Sequence, residues 1–273
     1  MKNKLLLYGL LSMAFVLNSD KLPAQENMPF SGSISPAAET ASENSQQENQ
    51  GDSEPQSETF TADKYFIKLD NSILSVQDSA AQTVFTQKFS HPTGYVADLD
   101  GDGTVEFLIN DYFEHDGMNS YSLYVFNTVD TFYLADSIYS GLKEPYYVFS
   151  PEIKSVVLIT GSPDVDSLYN GQIENIFSPM VCWAVVDGEL TIVNDQLYDI
   201  FMEENDKIIS FIETYYKANA KDCATSRQLI SAIATLTINY YYAEEKTSAE
   251  NVLKQFYFCD DREKLAEILL RML

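Results

Sequence analysis

The chain has 273 residues, of which 41 are acidic and 17 are basic, so its formal net charge is −24 at pH 7. Nucleic acids and anionic membrane surfaces attract proteins through Lys and Arg, so the charge argues against both as partners. It suits a protein that binds cations.

The first 24 residues have the pattern of a secretory signal peptide. Lys2 and Lys4 precede an apolar run at residues 5–17, and Ala24 supplies a small residue at a cleavage position. This run is shorter than the roughly 20 residues that span a bilayer. We therefore expect export to the periplasm, the cell surface or the medium, with no membrane span in the mature chain. An uncleaved anchor of the same sequence is the alternative.

Three segments follow in the mature chain. Residues 25–60 are rich in Ser, Glu, Gln and Asn, which predicts a disordered acidic linker. Residues 61–193 carry short aromatic and β-branched runs between Asp, Asn, Gly and Pro, which predicts a β domain. In residues 194–273 the apolar residues recur every three to four positions, which predicts helices.

The helical region also contains two capping patterns. Thr247 precedes Glu250 by three residues, and Asp260 precedes Glu263 by the same spacing. Together with the apolar periods they indicate about four helices. The fold class predicted is α+β: a partial β-propeller-like or open antiparallel sheet domain, followed by helices that cover one side of it. A weak internal repeat, residues 105–126 against residues 156–186, predicts two similar sheet units.

Export makes a disulfide feasible for the three cysteines. We favour a bond between Cys223 and Cys259, which lie near the ends of predicted helices. Cys182 stands in an apolar strand pattern, where a buried free thiol is common.

Acidic residues alternate in one loop of the β domain, residues 98–106. Four like charges in so short a segment repel one another, and a bound cation relieves the repulsion. Oxygen ligands in this number favour calcium over magnesium. We predict one calcium site, whose ligands are the side chains of four acids and the backbone carbonyl of one threonine: Asp98, Asp100, Asp102, Glu106 and Thr104.

The sequence around this loop resembles one blade of the FG-GAP or VCBS repeat family. The resemblance rests on residues 96–109, VADLDGDGTVEFLI, and on residues 121–127, YSLYVFN. It implies a β-propeller blade that holds the ion between its strands, with the same five ligand positions. In the second sheet unit the matching residues 149–153 read FSPEI, so we expect a single metal site. Asp164 and Asp166 are a poor substitute.

Catalytic patterns are sparse. His91 and His115 are the two histidines, and neither lies in a nucleophile or metal motif. His115, between two acids, either extends the calcium site or is an exposed loop residue, and we favour the second. The aromatic pairs and triplets of the chain suit a recognition surface, although such residues more often fill the core.

The function predicted is that of an exported, calcium-binding, non-catalytic interaction protein of the bacterial envelope. The calcium-loop β fold is also similar to that of periplasmic proteins that inhibit, or give immunity to, lysozyme-like enzymes. The expected partner is another protein, with a basic one favoured, or a cell-wall polysaccharide. Two alternatives stay open: a secreted enzyme that acts on polysaccharide or peptide, and a subunit of an envelope assembly.

Overall fold

The computed structural model describes residues 57–115, 117–168, 177–219 and 227–272. The predicted signal peptide and most of the predicted linker lie outside this part of the chain. The first strand already begins at Ser57, so the last four residues assigned to the linker belong to the β domain.

The described chain folds into three antiparallel sheets of four strands, each built from four consecutive strands. The first sheet contains β1 (Ser57–Ala62), β2 (Tyr65–Asp70), β3 (Ile73–Gln77) and β4 (Thr83–Lys88). The middle sheet contains β5 (His91–Ala97), β6 (Glu106–His115), β7 (Met118–Asn127) and β8 (Tyr133–Gly141). The third sheet contains β9 (Tyr146–Ser150), β10 (Ser155–Gly161), β11 (Met180–Val186) and β12 (Glu189–Ile192).

Helices follow the sheets. Short 3-10 helices occur at Pro163–Leu168 and Asn194–Gln196. The described chain also contains four α-helices: α1 (Tyr198–Asn219), α2 (Arg227–Tyr242), α3 (Lys246–Phe256) and α4 (Arg262–Met272). The predicted α+β class, with about four helices after the strands, is confirmed. None of these helices combines the length and the apolar character that a membrane crossing requires.

The middle sheet is buried on both faces because apolar residues run without interruption through β6, and successive side chains point to opposite sides. Phe107 and Ile109 pack with residues of the first sheet, such as Ile67. Leu108, between them, packs on the other side with Leu158 of the third sheet. Two apolar cores therefore hold the three sheets in a stack, which we call core 1–2 and core 2–3.

The helices cover the outer face of the third sheet. Val157 and Ile159 of β10 point to this side and pack with Phe201 of α1. The amide side chain of Asn239 ties α2 to both neighbours: it accepts a hydrogen bond from the Met180 backbone N–H and donates one to Asn205 of α1. This packing agrees with the prediction that the helices cover one side of the sheet region.

The outer face of the first sheet ends the stack on the other side. Its outward side chains are polar for the most part, although Phe66 and Val84 are exposed there. The sheets form no closed barrel. The internal repeat matches β6 and β7 of the middle sheet with β10 and β11 of the third sheet, and the first sheet adds a unit that the repeat did not predict.

One sequence detail comes out differently in the structure. Helix α3 begins at Lys246, before the Thr247 that the capping pattern placed outside the helix, and its N-cap Glu245 accepts a hydrogen bond from the Ser248 hydroxyl. The prediction for Cys182 is confirmed, since it is a free, buried thiol. Cys259 is disulfide-bonded. Its predicted partner, Cys223, lies outside the described residues.

The stacked cores lead to a stability prediction. Leu158 is 1 % exposed in core 2–3, so Leu158→Ala is expected to lower the free energy of unfolding by about 3 kcal/mol. Leu270→Ala is the matched control, because Leu270 in α4 is 68 % exposed and its loss is expected to change stability by less than about 0.5 kcal/mol. Denaturant unfolding followed by circular dichroism and by fluorescence of the one Trp, Trp183, measures both. Equal effects would contradict the stacked arrangement.

Candidate metal centre

The acidic loop joins the first two strands of the middle sheet, β5 and β6. The same connection is two residues long in the first sheet, Asp63 and Lys64, and four residues long in the third, residues 151–154. Only the middle sheet carries an extended acidic connection at this place. Its flanking elements are strands, as the sequence predicts.

The three aspartates of the loop hold its backbone by accepting hydrogen bonds. The Asp98 carboxylate accepts from Gly101 N–H at 2.7 Å and from Gly103 N–H at 3.0 Å. Asp100 accepts from the N–H of Asp102 at 3.1 Å, and Asp102 accepts from that of Thr104 at 2.6 Å. Each carboxylate oxygen keeps further lone pairs, since it is an acceptor at more than one site.

Positive φ angles at Gly101 and Gly103, 78° and 90°, let the loop turn this tightly. A side chain at either position would be strained in this left-handed conformation. The turns point the three aspartates toward a common centre.

Carboxylate oxygens of Asp98, Asp100 and Asp102 all lie within 4.8 Å of one another. Two oxygens that bind the same calcium ion at about 2.4 Å are at most about 4.8 Å apart, so this spacing fits a shared ion. Asp100 and Asp102 are exposed and Asp98 is half-buried. The donor set is oxygen alone, which suits a hard divalent cation.

Glu106, the fourth predicted acidic ligand, stands apart from this group. Its Oε2 accepts a hydrogen bond from Leu99 N–H at 3.0 Å, which closes the loop across its base. Burial raises the pKa of the Glu106 carboxyl, the Leu99 hydrogen bond lowers it, and the charges of Asp100 and Asp102 raise it further. The charged form of Glu106 is therefore disfavoured in the ion-free fold. Thr104, the fifth predicted ligand, donates its N–H to the Asp102 carboxylate.

Two apolar residues of the loop anchor it in the two cores. Leu99 is 1 % exposed and packs in core 2–3, and its carbonyl accepts a hydrogen bond from the Ser155 hydroxyl of the third sheet. Val105 packs against core 1–2, and its carbonyl accepts one from the Thr128 hydroxyl. Sequence reasoning missed Ser155 and Thr128, which are 56 and 23 residues away from their partners. The one signal for an anchor was Leu99, a lone large apolar residue between acids.

The histidines do not join the loop. His115 ends β6, nine residues after Glu106, which places it about 30 Å away along the strand. The suggestion that His115 extends the calcium site is therefore wrong for geometric reasons. His91 begins β5 and stacks on the ring of Tyr112, with ring centroids 4.9 Å apart.

The corresponding connection of the third sheet has different chemistry. Glu152 accepts a hydrogen bond from the Ser150 hydroxyl at 2.7 Å, and this bond lowers the pKa of its carboxyl. Asp164 and Asp166 lie in a 3-10 helix instead of a loop. In the described parts of the chain, Asp98, Asp100 and Asp102 are the one group of three acidic, His or Cys ligands that come together.

The charge of the chain is concentrated in the middle sheet. Residues 89–142 contain nine acidic residues and neither Lys nor Arg. The first sheet, in contrast, carries lysines on β2 and β4. The segment that holds the acidic loop therefore has no cation of its own beside it in sequence.

Comparison with known proteins places the chain in no family: no protein-family model matches it, and no curated protein does. The resemblance of the loop and its flanking strands to FG-GAP or VCBS blades stays a prediction.

The position of Glu106 leads to a second prediction. Because its pKa is raised in the fold, its charge destabilises the ion-free protein above the ordinary Glu pKa of about 4.3, and protonation removes this cost as the pH falls. Glu106→Gln keeps an oxygen that can accept from Leu99. In chelator at pH 7 it is expected to raise the melting temperature by on the order of 2 °C, an advantage that disappears near pH 4.

The same substitution is expected to have the opposite sign with calcium, since it removes a negative charge near the ion. Differential scanning calorimetry at both pH values, with calcium and with chelator, tests both halves. Glu189→Gln, at an exposed position of β12, is the control for loss of one charge. A Glu106→Gln protein that melts below wild type in chelator at pH 7 would contradict the prediction.

Proposed function

We propose that the protein is an exported, calcium-stabilised binding protein without catalytic activity, and that its partner in the bacterial envelope is a basic protein. The observation that carries the calcium proposal is the convergence of the Asp98, Asp100 and Asp102 carboxylates within 4.8 Å, in a loop anchored in two cores. The proposed FG-GAP or VCBS relationship is consistent with this loop between two strands.

The ion would act on the fold through the anchors of the loop. Two unit charges 4 Å apart repel by about 4 kcal/mol near a protein surface, and a divalent cation among three carboxylates turns this repulsion into attraction. Leu99 packs in core 2–3 and Val105 packs against core 1–2, so a loop that the ion stabilises would also stabilise the packing of both cores. A bound calcium ion would therefore stabilise the stacking of all three sheets, which is a structural role.

The charge of the middle sheet supports a basic partner. Nine acids without a single Lys or Arg in residues 89–142 produce a field of one sign, which steers cationic proteins toward the surface. Lysozyme-like enzymes are basic proteins of this kind, and we propose one of them as the partner that is inhibited. A cell-wall polysaccharide offers less charge complementarity.

The enzyme alternative has less support in the described residues. A surface pocket of about 340 Å³ lies against the third sheet, and its lining contains one carboxylate, that of Glu152. Glycoside hydrolysis in most families uses two carboxylates on either side of the bond that is cut.

Calcium-dependent melting is the test of the metal site. At a calcium concentration of 100 times Kd the native state gains about 2.7 kcal/mol, which raises the melting temperature by about 5–10 °C for a chain of this size. Magnesium is expected to give a smaller rise, because it requires stricter octahedral geometry. The full chain is measured with calcium, with magnesium and with chelator.

The matched variant is the double substitution Asp100→Asn and Asp102→Asn. Asparagine keeps an oxygen for the hydrogen bonds to Asp102 N–H and Thr104 N–H but removes two charges, so the calcium-induced rise is expected to disappear while the protein stays folded. The control variant, Asp187→Asn with Glu189→Gln, removes two exposed charges from the β11–β12 hairpin. If calcium stabilises the double variant as much as it stabilises the control, the metal site is refuted.

The partner is tested separately. The protein is added to lysozyme that degrades a cell-wall suspension, and the rate of clearing is measured at rising salt. We expect inhibition that weakens from 50 to 300 mM salt, since screening reduces the attraction between exposed charges. Unchanged lysozyme activity at excess protein would remove this partner and would leave the calcium proposal intact.

A further inference from the structure

Aromatic side chains form a row across one end of the middle sheet. His91, Tyr112 and Tyr121 are directly opposite one another on β5, β6 and β7. Their rings are in contact, with centroids 4.9 Å apart between His91 and Tyr112 and 5.8 Å apart between Tyr112 and Tyr121. Strand alternation puts Tyr112 on the same face as Leu108, which packs in core 2–3. The row therefore faces the third sheet, at the end of β6 remote from the acidic loop.

A second ring contact crosses from the middle sheet to the third sheet. Tyr95 of β5 and Tyr147 of β9 have ring centroids 5.5 Å apart, and both pack against core 2–3. We call His91, Tyr95, Tyr112, Tyr121 and Tyr147 the aromatic cluster. Tyr112 is buried, while the other four members are half-buried.

One carboxylate, that of Glu144, lies near this cluster. The chain runs from Gly141, the β8 partner of Tyr121, through Glu144 to Tyr147 in β9. Burial raises the pKa of Tyr95, and the neighbouring Tyr147 and Glu144 raise it further. Glu144 also raises the pKa of Tyr121, after burial. The carboxylate therefore lies near both phenols, and it is half-buried itself.

No positive charge of the described chain is paired with Glu144. The adjacent Lys143 turns to the other side of the third sheet, where its ammonium pairs with Glu204 at 3.4 Å and lies 5.8 Å from the ring centroid of Tyr146. Within the described residues the Glu144 carboxylate is a hydrogen-bond acceptor without a donor. Such a group, half removed from water, favours an external donor.

A second acceptor lies between the two aromatic contacts. Asn110 is 5 % exposed, and its buried Oδ1 has no hydrogen-bond partner among the described residues. Asn110 stands on β6 between Leu108 and Tyr112, so alternation turns its side chain to the same face as the aromatic cluster. Buried acceptors are normally satisfied, so this one also calls for a donor.

We propose that the aromatic cluster, with Glu144 and Asn110, binds the guanidinium or ammonium group of an Arg or Lys side chain of the basic partner. Aromatic faces attract cations, and the carboxylate and the amide oxygen supply acceptors for a group that only donates. The charge of residues 89–142 draws such a side chain to this place. The inference rests on the proposed interaction role and is independent of the calcium ion.

The test uses the full chain and two tripeptides, acetyl-Gly-Arg-Gly-amide and its citrulline counterpart, which has nearly the same shape without the charge. Binding is followed by nuclear magnetic resonance titration in calcium and, separately, in chelator. We expect the arginine peptide to shift the signals of Tyr95, Tyr121, Tyr147 and Asn110, and the citrulline peptide to bind at least about tenfold more weakly. Equal binding of the two peptides, or shifts confined to other residues, overturns the proposal.

The decisive variant is Glu144→Gln. It keeps the size of the side chain and is expected to weaken arginine-peptide binding about tenfold. Burial raises the pKa of Glu144, so its charged form destabilises the fold. The variant should therefore melt at the wild-type temperature or above it. A loss of binding will then not be caused by unfolding. Glu189→Gln removes the same charge elsewhere and should bind as wild type does. Equal weakening by both variants would show nonspecific attraction alone and overturn the site.

Failure of this inference is distinguishable from failure of the proposed calcium role. If calcium leaves the melting temperature unchanged while the arginine peptide still binds at the cluster, the calcium role fails alone. If calcium stabilises the protein and the arginine peptide does not bind, the cluster is a packing feature and the inference fails alone.

Discussion

Burial of both faces of the middle sheet is the constraint on which the rest of the structure depends. Consecutive residues of β6 supply opposite cores, so the first sheet, the third sheet and, beyond it, the helices all have fixed places relative to one strand. The acidic loop follows β5 and ends where β6 starts. Its two apolar residues, Leu99 and Val105, pack in different cores. The conformation of the loop therefore depends on how the three sheets are aligned.

Local patterns in the sequence were enough for the elements and for the loop. The strands, the α1 and α2 periods and the alternating aspartates depend on residues a few positions apart, and the structure places the aspartates together. The stack of three sheets depends on which faces meet, which a single strand does not encode. The same is true of the hydroxyl anchors Ser155 and Thr128, and of the contact between Tyr95 and Tyr147, since each joins residues from different sheets or connections. The start of α3 differs from the capping pattern, since Thr247 lies inside the helix that begins at Lys246.

The two ends of the middle sheet share one kind of chemistry in two forms. At one end three carboxylates, two of them exposed, suit a small divalent ion that takes many oxygen ligands. At the other end aromatic rings in mutual contact lie near one half-buried carboxylate, that of Glu144, which suits a planar or compact organic cation. The aspartates lie in residues 89–142, which contain neither Lys nor Arg, whereas Glu144 lies just beyond this segment, beside Lys143. The two ends differ in the exposure of their carboxylates to solvent: Asp100 and Asp102 are exposed, whereas Glu144 is half-buried.

Each sheet is a meander of four consecutive strands, and this feature bears on how the chain acquires its structure. Neighbouring strands are joined by short connections, so most pairings close small loops and carry little entropic cost at the moment of formation. Such local contacts correspond to low contact order and rapid folding. Each meander can therefore assemble as a separate kinetic unit, and the slower events are the dockings of completed sheets upon one another, which bring together residues far apart in the chain.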